Sequence, residues 1–190
     1  MSTAAAAAVA KPQPPTASAA LLWDLDNVSV PLADLDALAQ ALCGLVPDGA
    51  PMLASANWRA FRLAGDILRA HGIRVLCGSR DPNGADGVLC GSRDPNGADG
   101  VLLKRARRLK RRGVERFIVA TNDHAFARIA NFAEVHVATL TSNYVSSRLR
   151  TAAASVTVLT HVGEDWRADG EPLSEDDPSR PDGMYEHLAG

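Results

Sequence analysis

The sequence has few cysteines, few aromatic residues and no long apolar run. Of its three cysteines, Cys77 and Cys90 occupy the same place in two copies of one repeated segment. No CxxC pair or Cys/His cluster is present, which argues against a zinc ribbon or a disulfide scaffold and favours a reducing compartment. We therefore expect a cytoplasmic protein, with a nuclear location left open. No apolar run of about 18 residues exists, so we expect no membrane span.

Charge is nearly balanced over the whole chain. The 190 residues include 20 basic and 22 acidic ones, so the formal net charge is −2. Hydrophobic residues make up 46% and charged residues 22%, which is typical of a globular domain. Because the chain is not a polycation, any affinity for nucleic acid must come from a local basic patch. Aromatic residues are only 5% of the chain, so we expect base stacking to contribute little to such binding.

Composition divides the chain into a central domain and two tails. Residues 1–19 are rich in alanine and proline and predict a disordered leader, and residues 163–190 predict an acidic disordered tail. Between them, residues 20–162 alternate apolar with amphipathic segments. The predicted strands are residues 20–27, 51–57, 73–77, 116–123, 135–140 and 155–160. This alternation predicts a Rossmann-like α/β fold of three layers, with a central, mostly parallel sheet of five to six strands.

The segment VLCGSRDPNGADG occurs twice in succession, at residues 75–87 and 88–100, with no difference between the copies. The first copy continues an apolar strand, and the second leads directly into a basic helix. We therefore expect copy one to supply a strand and copy two to supply Asp99 at a helix start. The intervening residues, roughly 78–95, would form an enlarged loop that contains Asp86. An accidental in-frame duplication explains the repeat more simply than a functional repeat array.

Acidic and amide residues directly follow two of the predicted strands. The first strand ends in Asp24-Leu25-Asp26-Asn27 and the fourth in Thr121-Asn122-Asp123. In a doubly wound sheet, ligands bind beyond the carboxyl ends of the strands, where the strand order reverses. If these two strands are neighbours, Asp24, Asp123 and Asp99 meet in one crevice. Converging carboxylates without cationic partners typically hold a hard cation, so the sequence predicts a Mg²⁺ or Mn²⁺ site. Asp26 and Asn122 are equally well explained as caps.

Three motifs resemble those of the NYN domains, which belong to the PIN-like nucleases. LLWDLDNVSVP is similar to the family's opening D-x-(D/E)-N motif, NGADGVLLKRA to an aspartate that starts a basic helix, and FIVATNDHAF to a strand ending in (S/T)-G-D-x-D-F. The resemblance spans roughly residues 20–160. It implies a PIN-like fold and metal-dependent cleavage of RNA at Asp24, Asp99 and Asp123. The supporting residues are Asp26, Asn27, Thr121 and Asn122.

Two residues depart from the pattern of that family. Asn122 replaces the usual glycine, and Ala125 replaces the usual second acidic residue before Phe126. The loss of one ligand would weaken metal binding. An RNA-binding domain with a partly decayed active site is therefore an open alternative.

A basic segment, KRARRLKRR, follows Asp99 at residues 104–112. Its basic residues are Lys104, Arg105, Arg107, Arg108, Lys110, Arg111 and Arg112. A solvated helix face usually mixes acidic partners into such a run, and none is present here. A basic surface beside an acidic metal site is what a nuclease needs, so we expect these residues to contact RNA phosphates. RNA is thus the expected partner, and a homodimer stays open.

The DLDN motif also resembles the first motif of haloacid-dehalogenase-like phosphatases. In that interpretation Asp24 is the nucleophile, Asp26 is the acid/base and Thr121 ends a second motif strand. Such a phosphatase needs a lysine after Thr121, and the sequence has no lysine after Lys110. The phosphatase is therefore the weaker alternative.

Overall fold

The computed structural model describes residues 19–77, 97–163 and 165–168. Its strands are β1 (Ala19–Asp24), β2 (Met52–Ala56), β3 (Arg74–Cys77), β4 (Arg116–Ala120), β5 (Glu134–Leu140), β6 (Ser155–Val162) and β7 (Asp165–Ala168). Its α-helices are α1 (Leu35–Cys43), α2 (Trp58–Ala70), α3 (Gly97–Lys110) and α4 (Ser147–Ala152), and two 3₁₀ helices cover Leu32–Asp34 and His124–Asn131.

The described strands form one sheet in the order β3-β2-β1-β4-β5-β6-β7. Strands β1 to β6 pair in parallel, and β7 runs antiparallel to β6. The predicted three-layer α/β fold with a mostly parallel sheet is confirmed, with seven strands instead of five to six. The chain builds outward from β1 to β3 and then crosses to β4 on the other side of β1. The strand order therefore reverses between β1 and β4, which is where a doubly wound sheet binds ligands.

Alternate side chains of β1 enter two separate cores, as expected for a strand buried on both faces. Leu21 and Trp23 pack with α1 and α2 on one face, whereas Ala20 and Leu22 pack with α3, the 3₁₀ helix 124–131 and α4 on the other. Asp24, the last residue of β1, continues this alternation and therefore points to the α3 face.

Strand β7 lies inside the segment that the composition predicted to be a disordered tail, so that expectation is wrong for residues 165–168. Gly163 adopts a φ of 68°, which glycine reaches at little cost, and it lies in the connection from β6 to β7. The ring of Trp166 stacks on His161 of β6 with ring centroids 4.8 Å apart. Pairing with β6 thus orders a short charged segment whose own sequence has no strong strand pattern.

The two copies of the repeat supply different elements. Copy one provides β3 up to Cys77, and copy two provides the first residues of α3, with Asp99 in its first turn. Both placements were predicted. Asp86 and the expected loop lie outside the described residues. No helix in the described segments is long and apolar enough to cross a membrane.

Candidate active site

The candidate site lies at the carboxyl edge of the sheet, between β1 and β4. Trp23 of β1 is paired with Ala120 of β4, so the residues that follow each strand emerge side by side. Asp24 ends β1, Thr121 to Asp123 follow β4, and Asp99 approaches from the first turn of α3. The predicted convergence of these two strand ends is therefore present.

Asp24 is the most buried carboxyl group of the site, with 1% of its surface exposed. Its Oδ2 accepts a hydrogen bond from Asn27 Nδ2 at 2.6 Å and another from Thr121 Oγ1 at 3.2 Å. Burial raises the pKa of Asp24, and these two hydrogen bonds partly counteract that effect. Two of the predicted supporting residues thus orient one carboxylate oxygen.

The other oxygen of Asp24, Oδ1, is buried without a hydrogen-bond partner among the described residues, and so is the hydroxyl oxygen of Ser55. Ser55 is the β2 residue paired with Asp24 in the sheet, and it is fully buried. Paired residues on neighbouring parallel strands point to the same face. Burying two such oxygens unpaired costs about 1–3 kcal/mol each, so a water, an ion or a ligand that paired with them would stabilise the site. Sequence reasoning missed Ser55, whose only signal was its position near the end of an apolar strand.

Asp99 interacts with Asp24 at the end of β1 and with Asp123 after β4. It is 8% exposed, and its pKa rises to about 7, first because of burial and then because of the negative charges of Asp24 and Asp123. The nearby side chains of Asp123 and Asp24 also favour the protonated form of Asp99 as hydrogen-bond acceptors, which raises its pKa further. Near neutral pH a proton therefore offsets part of the repulsion among the three carboxyl groups.

Asp123 caps the 3₁₀ helix that follows β4. Its Oδ1 accepts a hydrogen bond from the backbone N–H of Ala125 at 2.8 Å and lies 3.0 Å from Nδ1 of His124. Its own N–H donates to Thr121 Oγ1 at 3.2 Å. Ala125, which replaces an acidic residue of the NYN pattern, supplies only a backbone donor to this capping interaction.

Asn122 forms a side-chain hydrogen bond that holds the loop after β1 in place. Its Nδ2 donates to the carbonyl oxygen of Asn27 at 3.2 Å, and its Oδ1 accepts from Thr139 Oγ1 at 2.6 Å. Asn143 donates to the same carbonyl, also at 3.2 Å. Thr139 and Asn143 were not identified from the sequence, although Asn143 follows a strand just as Asp123 does. Asn122 therefore acts through its amide contacts in the position where the family pattern has glycine.

Asp26 is exposed and takes no part in the hydrogen bonds among the three carboxyl groups. Its Oδ1 accepts a hydrogen bond from Asn57 Nδ2 at 2.8 Å, and Asn57 in turn caps the start of α2 by accepting from the N–H of Ala60. Its negative charge still contributes to the raised pKa of Asp24. Asp26 therefore links the loop after β1 to α2.

The donor set of the site suits a hard divalent cation. Asp24, Asp99 and Asp123 offer only carboxylate oxygens, the kind of ligand that Mg²⁺ and Mn²⁺ prefer, and one oxygen of Asp24 is unpartnered. However, within residues 19–77, 97–163 and 165–168 no three His, Cys, Asp or Glu side chains are arranged so that they could hold a metal ion together. The kind of ligand therefore suits a cation, whereas the raised pKa of Asp99 favours its protonated form when no cation is bound.

The basic segment occupies the second half of α3 and the turn after it. Lys110 forms an ion pair with Glu115, whereas the other six basic residues have no acidic partner in the described part of the chain. Burial and the charges of Arg108, Arg74 and Arg112 lower the pKa of Arg105. Arg74 belongs to β3 and was missed in the sequence, where it appears only as the polar start of a strand. Among the residues that the structure describes, the cluster is therefore a basic surface with a single acidic partner, Glu115, and it extends from α3 to the sheet edge.

Comparisons with known proteins add little about this site. No family model matches the chain, and no curated protein is similar to it. A crystal structure of a protein of unknown function from Vibrio parahaemolyticus is similar at 14% identity and a TM-score of 0.46, covering 82% of this chain and 99% of that one. A similarity at this level carries no argument about function.

Proposed function

We propose that this protein is a metal-dependent ribonuclease with an NYN-like, PIN-like active site formed by Asp24, Asp99 and Asp123. The observation that supports this most directly is that carboxyl groups from three separate elements converge at the reversal point of the sheet. One of them has an oxygen buried without a partner among the described residues. An acidic site beside a basic surface that has few acidic partners in the described part of the chain suits a cation and a polyanion together.

In this proposal Asp24 and Asp123 are the principal cation ligands, and Asp99 joins them on losing its proton. Asn27 and Thr121 fix the orientation of the Asp24 carboxylate through their hydrogen bonds to Oδ2. A divalent cation held there would lower the pKa of a bound water and offset the charge that develops on the scissile phosphate.

The basic residues of α3 have a separate role, which is to hold the RNA backbone. The helix starts at the acidic site and runs away from it, so Arg105 and Arg108 lie roughly 9 and 14 Å along the axis from Asp99. Phosphates on one side of the scissile bond would therefore lie along this surface. Because such contacts go to phosphates, we expect binding that depends weakly on base sequence.

The alternative of an RNA-binding domain with a decayed site is supported by Ala125 and by the absence, among the described residues, of a ready metal-holding group. The phosphatase alternative is disfavoured. Its nucleophile, Asp24, is 1% exposed, and its acid/base, Asp26, is hydrogen-bonded to Asn57. We also propose a cytoplasmic location, which the absence of Cys/His clusters and CxxC pairs in the sequence favours.

Incubation of the purified protein with labelled RNA in Mn²⁺, in Mg²⁺ and in EDTA tests the proposal. We expect cleavage with either metal and none in EDTA. Binding without cleavage in any condition would support the decayed-site alternative. Release of inorganic phosphate from a small phosphomonoester, without cleavage of RNA, would support the phosphatase.

A further inference from the structure

A cleft of about 320 Å³ opens beside the acidic site, on the opposite face of the sheet from α3. It lies between the loop after β1, the start of α1 and the first turns of α2. Apolar side chains such as Leu32, Leu35 and Leu63 line it, and Asp26 and Asn57 add polar groups. A mostly apolar concavity of this size with a few polar groups is typical of a small-ligand site, at the lower end of the usual volumes.

Most of the large apolar side chains that are exposed to solvent in the described residues line this cleft. In the described part of the chain, three large hydrophobic side chains are well exposed: Leu63 at 57%, Leu32 at 49% and Val162 at 43%. Two of the three line the cleft, and the third lies at the end of β6. Exposed apolar groups that cluster around a polar contact point mark a binding surface more often than scattered ones do.

The cleft and the acidic site share the loop after β1. Asp26, which lines the cleft, follows Asp24 by two residues, so their Cα atoms are at most about 7 Å apart. Because Asp24 points to the α3 face, a nucleotide with its phosphate at the acidic site would have to pass over the carboxyl edge of the sheet to place its base between Leu32 and Leu63. The basic residues of α3 approach the same edge from the other face and would hold the backbone that continues from this phosphate.

We propose that this cleft holds one unpaired nucleobase of a single-stranded RNA, next to the phosphate bound at the acidic site. The inference rests on the proposed function, because the acidic site supplies the phosphate position. A single strand is required because the bases of a duplex are stacked and paired and cannot enter such a cleft. The apolar side chains that line the cleft would cover the faces of the base. Asp26 accepts hydrogen bonds, which every base can supply from an amino group or a ring N–H, so we expect little preference among the bases.

The test is a binding measurement in Ca²⁺, which takes oxygen ligands and would offset the charge of the acidic site, and gel analysis of each sample checks that the strands stay intact. Short labelled strands of adenine, cytosine or uracil nucleotides and an abasic strand of equal length are titrated by fluorescence anisotropy. Leu32→Ala/Leu63→Ala is compared with wild type, and Val162→Ala serves as the matched control. These side chains are exposed, so the variants are expected to fold, which circular dichroism checks.

Wild type should bind all three base-bearing strands more tightly than the abasic strand. The double variant should lose about fivefold in affinity for base-bearing strands and nothing for the abasic strand, because only apolar contacts to the base are removed. Val162→Ala should bind as wild type does. Equal binding of all strands by wild type, an unaffected double variant or no RNA binding at all would each overturn the inference.

A parallel cleavage assay in Mn²⁺ separates this inference from the proposed function. If wild type cleaves RNA but its binding depends neither on the bases nor on Leu63, the base cleft is overturned and the proposed nuclease activity is not. Base-dependent, Leu63-dependent binding without any cleavage would support the cleft and overturn the nuclease.

Discussion

The two ends of α3 carry opposite charges in opposite environments. At its start, Asp99 is 8% exposed among Asp24 and Asp123, and its pKa rises to about 7 because the site is buried and already negative. Toward its end, arginines such as Arg107 and Arg108 are exposed to solvent. In the buried site, repulsion between like charges raises the pKa of a carboxyl group and so favours proton uptake. At the surface, solvent screens the repulsion between like charges. We therefore propose that a cation binds at one end of α3 and an anion at the other.

Removing a carboxylate from the buried end should have the largest effect. Asp24→Asn and Asp123→Asn are each expected to lower RNA cleavage by at least about a hundredfold, since a ligand charge is lost. Folding should be unchanged or slightly improved because repulsion is relieved. Asp66→Asn is the matched control, since Asp66 is exposed on α2 and pairs only with Arg69 in the described structure. Full activity in either test variant would contradict the assignment of that residue.

Asp99→Asn should change how stability depends on pH. In the unfolded chain Asp99 ionises near 3.8, and in the folded protein near 7, so the folded state keeps the proton longer. The free energy of unfolding should therefore fall as pH rises from about 4 to about 7, by at most ~4 kcal/mol from this group. The variant should lose the part of the slope that comes from Asp99, whereas Asp24, whose pKa is also raised, still contributes a slope of the same sign. Urea titrations in EDTA at several pH values measure it, and equal slopes for both proteins would show that Asp99 ionises normally.

Substitutions at the exposed, basic end of α3 should affect the binding of RNA. Replacing Arg107, Arg108 and Arg111 with alanine should weaken RNA binding by about tenfold or more and flatten its salt dependence, because fewer counterions are released. Lys110→Ala should have a smaller effect, because Lys110 is already paired with Glu115. Binding measured in EDTA over a range of salt concentrations tests both variants. A salt slope that is the same for wild type and the triple variant would mean that this surface does not contact phosphates.

The smallest effect is expected from deletion of residues 88–100. The deletion joins Gly87 to Val101, so Asp86 would take the sequence context that Asp99 has now. RNA cleavage should be retained, and stability should rise by less than about 1 kcal/mol because the connection between β3 and α3 is shorter. Loss of cleavage in a folded deletion variant would show that the second copy has a role of its own.

The parts of the fold that follow from periodicity and strand ends could be predicted from the sequence. The sequence predicted the six parallel strands and the convergence of Asp24 with Asp123, because parallel strands must place their carboxyl ends at one edge. It did not predict β7, since pairing with β6 rather than local propensity orders that strand. It also missed Ser55 and Asn143, whose importance depends on which strands are neighbours. The direction of Asp26 toward Asn57 depends on loop geometry that no spacing reveals.

Calorimetric titration of Mn²⁺ into the protein at neutral pH tests for the proposed cation site without any substrate. We expect saturable binding to wild type and to Asp66→Asn. Binding should be weakened at least about tenfold in Asp24→Asn, Asp99→Asn and Asp123→Asn, since each removes a proposed ligand charge. The absence of saturable binding to wild type, or equal binding to all five proteins, would show that these carboxyl groups do not form a cation site.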